Sequence, residues 1–559
     1  MFEKRIRQLQ RYRDIVIAFS HYGFGYIAME LGLHDLLSLP KRLFVKGYKE
    51  TRTKTTGERV RLFLEELGPT FVKLGQFAST RSDVLPPDII LELEKLQNHV
   101  PPFAFEDVKD TIEGELGGQL KDYYTTFQET PLAAASIGQV HYATLHSGEA
   151  VAVKVQRPNI TSTIKTDLEI LEDLAMIAES RLEWAARYKV QEIIQEFSKS
   201  LQAELNYAFE GRSAVRIANQ FKEDEHIHIP KVYWDYTTKK VLTMEYVQGI
   251  KLNDDEQLNK VGADRKLLAE RVVRALFHQV FIEGFFHGDP HPGNIVAKSG
   301  NSIIFMDFGL VGRITPDMKK QLSDLVIALM RQDTDGMIKV ITRMGVVPED
   351  VNYRQLRKDL DQLRDKYYDL PFSQVSIGEA VNDLFSIAYQ HQIRIPADLT
   401  LLGKTLLTIE GMVEKLDPDL SIIKMAEPFG KQLLKERYHP KRVAGSIWQD
   451  LAEYGEVISE LPKNIQDLKA VVQKGKIRME ISMPELDQSL KKLDRISNRL
   501  SFSIVLLSFS IIMVGLIVGS ALMRQSTLLW DIPVIEVGFI IAILMFLWIL
   551  FAIFKSGRF

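Results

Sequence analysis

The sequence predicts an α+β chain of two unequal lobes, a small strand-rich one followed by a larger helical one, with helices ahead of them and two apolar spans behind. Three observations carry this. VHYATL (140–145) and AVAVKV (150–155) alternate in the manner of half-buried strands around the turn glycine Gly148, while residues 163–220 and most of 251–430 keep helical spacing. LSFSIVLLSFSIIMVGLIVGSALM (500–523) and VGFIIAILMFLWILFAIF (537–554) carry no charge, and each is long enough to cross a hydrocarbon core of about 30 Å.

Taken in order, residues 1–57 read as an amphipathic helical segment. Its apolar stretch is broken by His21 and Glu30 and lacks a small-residue cleavage site, so it is not read as a signal peptide. Arg5, Arg7, Arg11 and Arg13 form a basic face suited to anionic headgroups or to water. Residues 58–130 are a second helical extension, punctuated by Pro86-Pro87 and Pro101-Pro102. Within it Lys73 and Gln76 stand at i and i+3 on one face, beside an apolar stripe of Leu67, Phe71, Leu74 and Ala78.

Residues 131–250 form the strand-rich lobe. LAAASIGQV (132–140), laid on the loop G-x-G-x-x-G-x-V that covers nucleotide phosphates, keeps Gly138 and Val140 but has Ala133 and Ala135 where glycines belong. Alanine narrows the backbone angles and the approach to oxygen, so the loop reads as retuned. Leu132, Ala133, Ala134, Ala135, Ser136, Ile137, Gly138, Gln139 and Val140 are its candidate cofactor contacts, with Lys154 on the following strand for the α and β phosphates. KKVLTMEYV (239–247) is the strand expected to end in a hinge, where Glu245 offers a carbonyl and Val247 an amide to adenine.

Residues 251–430 form the helical lobe and carry the remaining chemistry. HGDPHPGN (287–294) and FMDFG (305–309) place Asp289 and Asn294 at D-x-x-x-x-N spacing, with Asp307 thirteen residues after Asn294. Phosphoryl transfer needs positioning and charge neutralisation: a carboxylate near the nucleophile, oxygen ligands for Mg²⁺, and a cation on the other phosphates. Asp289 is the candidate base and Asn294 and Asp307 are the candidate metal ligands. Each motif alone is weak, and their joint order decides the reading as an ATP- or ADP-binding, protein-kinase-like fold.

Residues 431–498 read as a charged helical stalk and 499–555 as a membrane hairpin with spans over 500–523 and 535–554. Lys491, Lys492, Arg495 and Arg499 precede the first span and Lys555 and Arg558 follow the second, which puts both ends, and the catalytic lobes, on the cytoplasmic side of a cell (inner) membrane. Gly515 and Gly519 make a GxxxG suited to a homodimer contact. Across the chain 70 Lys and Arg offset 73 Asp and Glu, so no basic field points to nucleic acid. With no cysteine, disulfides and thiolate chemistry are excluded.

FVKLGQFASTRSDVLPPDI (71–89), LAAASIGQV and HGDPHPGNI together resemble the UbiB family of atypical, protein-kinase-like proteins. The resemblance implies that Lys73 and Gln76 reach into the cleft as a regulatory extension and occlude a protein-substrate channel. It also implies support of isoprenoid-quinone biosynthesis or lipid handling, with a membrane lipid or quinone precursor and quinone-biosynthesis enzymes as partners. The family's E-x-D segment falls on ELNYAFEGRSA (204–214), giving Glu204 and, in place of aspartate, Asn206. By resemblance Glu204 is the partner of Lys154, although on sequence alone Glu169 and Glu172 compete. Two rivals stand beside an ATPase: a kinase acting on a protein or small molecule, and a catalytically silent nucleotide-binding scaffold.

Overall fold

A computed structural model describes residues 2–32, 53–96, 101–345, 347–348, 351–368, 376–422 and short helical stretches within 424–429, 504–518 and 540–547. The chain divides into two compact units, Met1–Ala444 and Gly445–Phe559.

The first helix, α1 (Phe2–His21), packs through Ile15, Val16 and Ala18, all buried. Of its basic face, Arg11 is taken up inside the protein, donating to Asp167 at 2.7 Å and to the Leu67 carbonyl at 2.7 Å, while Arg13 is exposed. Gln8 and Tyr12 bond Glu169 and Asp173 on the same helix as Asp167. The side chains of Arg5 and Arg7 lie outside the described residues. Two helices follow, α2 (Thr56–Leu67) and α3 (Pro69–Ala78). Gly68, at φ 93°, breaks the predicted apolar stripe between Leu67 and Phe71 into two helices. The α2 N-terminus carries a capping box, Thr55 with Glu58, which satisfies two otherwise orphan amides.

After α4 (Phe105–Leu116) the sheet begins at β1 (Tyr124–Phe127), earlier than the boundary at 131 that the sequence suggests. Then come β2 (Ala133–Ala134), β3 (Gly138–Leu145) and β4 (Ala150–Gln156). Helices α5 (Ile160–Arg181), α6 (Val190–Glu204) and α7 (Tyr207–Gln220) separate β4 from β5 (Ile227–His228) and β6 (Val241–Glu245). The antiparallel order is β1-β3-β4-β6, with β2 on β3. Strand alternation puts Val151, Val153 and Val155 into a core with Val108 and Ile112 of α4. Lys154 therefore leaves the opposite face, toward α7.

In the helical lobe β7 (Ile250–Lys251) and α8 (Arg265–Phe277) lead to β8 (Phe285–His287), β9 (Ile295–Lys298), β10 (Ser302–Phe305) and β11 (Val311–Arg313). β9 and β10 form the hairpin expected between Asn294 and Asp307, and β11 returns to pair with β8, Val311 opposite His287. Helices α9 (Pro316–Met330), α10 (Thr334–Met344), α11 (Tyr353–Tyr368), α12 (Ile377–Gln390) and α13 (Ala397–Leu416) complete the lobe. α13 packs against α8 in a core that includes Leu268, Val272, Leu402 and Met412.

The predicted stalk, 431–498, and most of both predicted spans lie outside the described residues. Among the described residues no helix is long and apolar enough to cross a membrane. Within the second unit the described positions Ile504, Leu507, Ile511, Val514, Ile540, Leu544 and Leu547 are helical and exposed, and Phe509 stacks on Phe546 with ring centroids 4.5 Å apart. Gly515 is described and Gly519 is not, so the GxxxG contact stays an expectation.

Candidate nucleotide site

Lys154 is built from the sheet outward. β4 carries it on the face opposite Val153 and Val155, and α7 presents Glu210 to it, with Nζ 2.8 and 2.9 Å from the two carboxylate oxygens. The sequence expected Glu204 in this role. The helical run breaks at Leu205 and Asn206, between α6 and α7, and the break turns Glu204 toward α3, where it pairs with Lys73. Glu169 is occupied by Gln8. Two ion pairs thus stand side by side, Lys154 with Glu210 and Lys73 with Glu204, and the 154–210 pair is the more enclosed, at 18% and 5% side-chain exposure.

Asp307 completes the charge cluster. It adopts a left-handed backbone, φ 56°, which few residues other than glycine tolerate, and accepts the Gly309 amide at 3.2 Å. The Lys154 charge holds its carboxyl at about 2 even though burial works the other way, with the Gly309 amide and Lys73 adding to the effect. Burial alone would lower the Lys154 ammonium, but Glu210 and Asp307 together push it well above the ordinary lysine value. Lys154 also sits 5.1 Å from the centre of the Tyr207 ring.

The 287–294 loop is held by its own histidine. His287, fully buried, accepts the Asp289 amide at Nδ1 (3.1 Å), which leaves Nε2 to donate to the Met306 carbonyl at 2.9 Å; burial lowers its pKa and favours this neutral form. His287 also receives support from the Gln279 side chain, which accepts its amide at 2.8 Å. Asn294 donates Nδ2 to the Asp289 carbonyl at 3.1 Å, and its own carbonyl accepts the Met306 amide. No described protein donor takes Asn294 Oδ1. Asp289 keeps 42% side-chain exposure, with His291 Nε2 3.8 Å away, and so remains open to an acceptor or water.

The alanine-rich loop divides in two. Leu132 and Ala133 are exposed, and Ala133 and Ala134 pair with Val140 and Gln139 as a hairpin closed by the Ala135 amide on the Gly138 carbonyl at 2.8 Å. Ser136, Ile137, Gly138 and Gln139 are buried. Gln139, expected at the cofactor, instead brackets Phe103, accepting its amide at 3.0 Å and donating to its carbonyl at 3.3 Å. A β-carbon on Gly138 would lie 2.2 Å from the Tyr207 hydroxyl and 2.5 Å from the Val155 carbonyl. Gly138 is therefore required by packing whatever the loop covers.

Glu245 ends β6, and its side chain bonds His228 (2.9 Å) and the Lys231 amide (3.2 Å). Its own amide goes to the Lys231 carbonyl, while Val247 makes no hydrogen bond among the described residues. Gln76 donates to the Leu96 carbonyl at 3.2 Å, so one of its amide hydrogens serves the extension itself. Gly75 between them admits no side chain, because a β-carbon would fall 2.2 Å from Leu96 and 2.8 Å from Leu64.

Against known proteins, residues 95–341 match the ABC1 atypical kinase-like domain, 360–421 the UbiB helical domain and 484–555 the ABC1/UbiB kinase-like C-terminal domain. A protein named as probable protein kinase UbiB of Xanthomonas campestris is 34% identical over 461 residues, covering 80% of this chain and 83% of that one. The chain belongs to the UbiB family of ABC1-type atypical kinases. Two further relatives carry no functional name: a Synechocystis protein 36% identical over 455 residues (79% of this chain, 77% of its own) and a Clostridium pasteurianum protein 32% identical over 551 residues (98% and 99%). Within this UbiB-family chain the ABC1 match holds Lys154, Glu204, Glu210, Asp289, Asn294 and Asp307, whereas Lys73 and Gln76 lie ahead of it.

The residue that sequence reasoning missed is Glu210. The signal was present, since ELNYAFEG holds two glutamates six apart, but only the placement of the helix break tells which one faces the sheet.

Proposed function

We propose that this UbiB-family chain binds Mg-ATP or Mg-ADP in the cleft between its lobes and works as a membrane-anchored atypical kinase or ATPase in isoprenoid-quinone biosynthesis or lipid handling. The observation that carries the proposal is the convergence of Lys154, Glu210 and Asp307 beside the loop that holds Asp289 and Asn294.

In this reading Lys154 binds the α and β phosphates, and Glu210 fixes its ammonium in direction. Asp289 orients or deprotonates the attacking hydroxyl or water, which its exposure admits. Among the described residues no cluster of three or more His, Asp or Glu is placed to hold a metal alone. That agrees with Mg²⁺, which takes one or two protein oxygens and fills its shell with phosphate and water. Asn294 Oδ1 and the ionised Asp307 fit as those ligands, and a bound Mg²⁺ would supply charge neutralisation on the transferred phosphate. Leu132 to Ala135, the part of the loop that is not buried, are left to cover the phosphates, with Val247 as the free amide for adenine.

Membrane anchoring rests on the charge-free runs, on the match of 484–555 to the family's C-terminal domain, and on the exposed apolar positions from Ile504 to Leu547. The quinone or lipid partner rests on the family and on the relatives named UbiB. Purified full chain in liposomes, assayed for phosphate release with and without a quinone-like phenol, tests the whole reading. Release well above an Asp307→Asn background is expected; release no higher than that background in every condition leaves the scaffold reading in its place. Label transferred from the γ phosphate to an acceptor, and lost in Asp289→Asn, would make the protein a kinase rather than an ATPase.

A further inference from the structure

Tyr207 opens α7 and is wholly buried, yet the chemistry proposed above leaves it without a part. It stands three residues ahead of Glu210, which puts the two side chains on one face of the helix. Its amide donates to the Lys239 carbonyl at 3.0 Å, just before β6, so the side chain starts from a fixed base. From there it reaches two parts of the site at once. The ring lies against Lys154, whose Nζ is 5.1 Å from its centre, within the range of a cation–π contact. The hydroxyl fills the space beside Gly138 that a side chain on that residue would need.

That hydroxyl makes no hydrogen bond among the described residues, although it is shut off from water. Ser136 Oγ, two residues before Gly138, is buried and unpartnered in the same way. A buried O–H without an acceptor costs free energy that a phenylalanine ring in its place would not. Core packing thus accounts for the ring and not for the hydroxyl. Burial pushes the phenol pKa up in spite of Lys154, and Glu210, Glu204 and Asp307 add to the effect, so the oxygen keeps its proton and has one to share. A phosphate oxygen is an acceptor suited to such a donor. The groups that flank Tyr207, the last glycine of the loop and the lysine of β4, are those assigned to the phosphates.

We infer that Tyr207 belongs to the nucleotide site: its ring positions the Lys154 ammonium, and its hydroxyl donates to a phosphate oxygen of the bound nucleotide. The ring's part stands on the geometry alone; the hydroxyl's part rests on the proposed function.

Two measurements on the full chain in nanodiscs separate these parts. The first needs no nucleotide: brief acylation by acetic anhydride, read at Lys154 by peptide mass spectrometry, with Lys404 on α13 as the internal control. Tyr207→Leu and Tyr207→Met, each shown to be folded by a cooperative urea transition, should raise labelling of Lys154 about tenfold. Tyr207→Phe, which keeps the ring, should label as the wild type does. Wild-type labelling in a folded variant without the ring overturns the ring's part. The second measurement is calorimetric binding of ATP and of adenosine, which lacks phosphates. Tyr207→Phe should weaken ATP about tenfold, equivalent to about 1.4 kcal/mol, and leave adenosine unchanged. It should also unfold at no lower urea concentration than the wild type, because the free protein loses no hydrogen bond. A tyrosine needed only for structure would shift the urea midpoint and treat both ligands alike. Equal affinity of wild type and Tyr207→Phe for ATP overturns the hydroxyl's part. A wild type that binds no ATP overturns the proposed function and the hydroxyl's part with it, while the labelling of Lys154 still decides the ring's.

Discussion

The Lys154–Glu210 pair shows how much one residue's direction decides. Removing one member of a buried pair leaves a bare charge in a poorly solvated place, which costs about 3 to 5 kcal/mol. Glu210→Ala is thus expected to lower the free energy of urea unfolding by that amount, whereas Glu204→Ala, whose pair with Lys73 is more open to water, should lose about 1 kcal/mol. Equal losses would contradict the assignment. His287 gives a pH prediction. Its folded pKa lies below the ordinary histidine value of about 6.5, so its neutral form stabilises the fold fully above that pH, and the contribution is lost as pH falls from there through the folded value. Stability measured between pH 7 and 5 should fall, and His287→Gln should flatten that slope. Residue identities at the site were largely legible: Lys154, Asp289, Asn294 and Asp307 come together as their spacing implied. Glu204 was misread because glutamates at positions 204 and 210 are chemically alike and only the turn at Leu205 and Asn206 separates their directions.

At the level of elements, the alanine-rich loop is half turn and half core. Gly138→Ala would drive a methyl into the Tyr207 hydroxyl and the Val155 carbonyl, and it should cost about 1 to 3 kcal/mol as overpacking does. Ala133→Gly and Ala135→Gly lie in the accessible half and should change stability by no more than about 1 kcal/mol. Their expected effect is on nucleotide preference or turnover, and unchanged affinity and rate in both would count against a loop tuned by its alanines. Period alone located β3 and β4, because alternation is a property of the strand itself, whereas β6 was found as an apolar stretch between VAVK and HGD. Neither signal could show that Gln139 brackets Phe103, or that Arg11 binds Asp167, because such pairings join segments that only the folded chain brings together.

Across the whole molecule, the order of lobes was readable because the change from period two to helical spacing survives any detail of packing. The helical extension was readable as helices but not as a bridge. Arg81, buried just after α3, forks onto Asp83 with two bonds of 2.9 Å and reaches Glu196 of α6 at 2.8 Å. Asp83 in turn accepts the Ile395 amide, just before α13, at 2.9 Å. An isolated look at TRSDV would take Arg81 and Asp83 for solvated charges, yet both are almost wholly buried. Cutting this knot by Asp83→Asn should destabilise the protein by about 3 kcal/mol or more, since Arg81 would keep its burial and lose its main counter-charge; chemical unfolding measures it.

That same knot bears on how the chain opens. Cooperative units in native proteins are often contiguous in sequence, but here the amide of Ile395 is shielded by a carboxylate 312 residues earlier. Its hydrogen exchange therefore reports on the extension rather than on its own neighbourhood. If α3 swings away from the cleft during turnover, Ile395 should lose protection while the amides within α13 keep theirs, giving a native label for a motion that happens elsewhere.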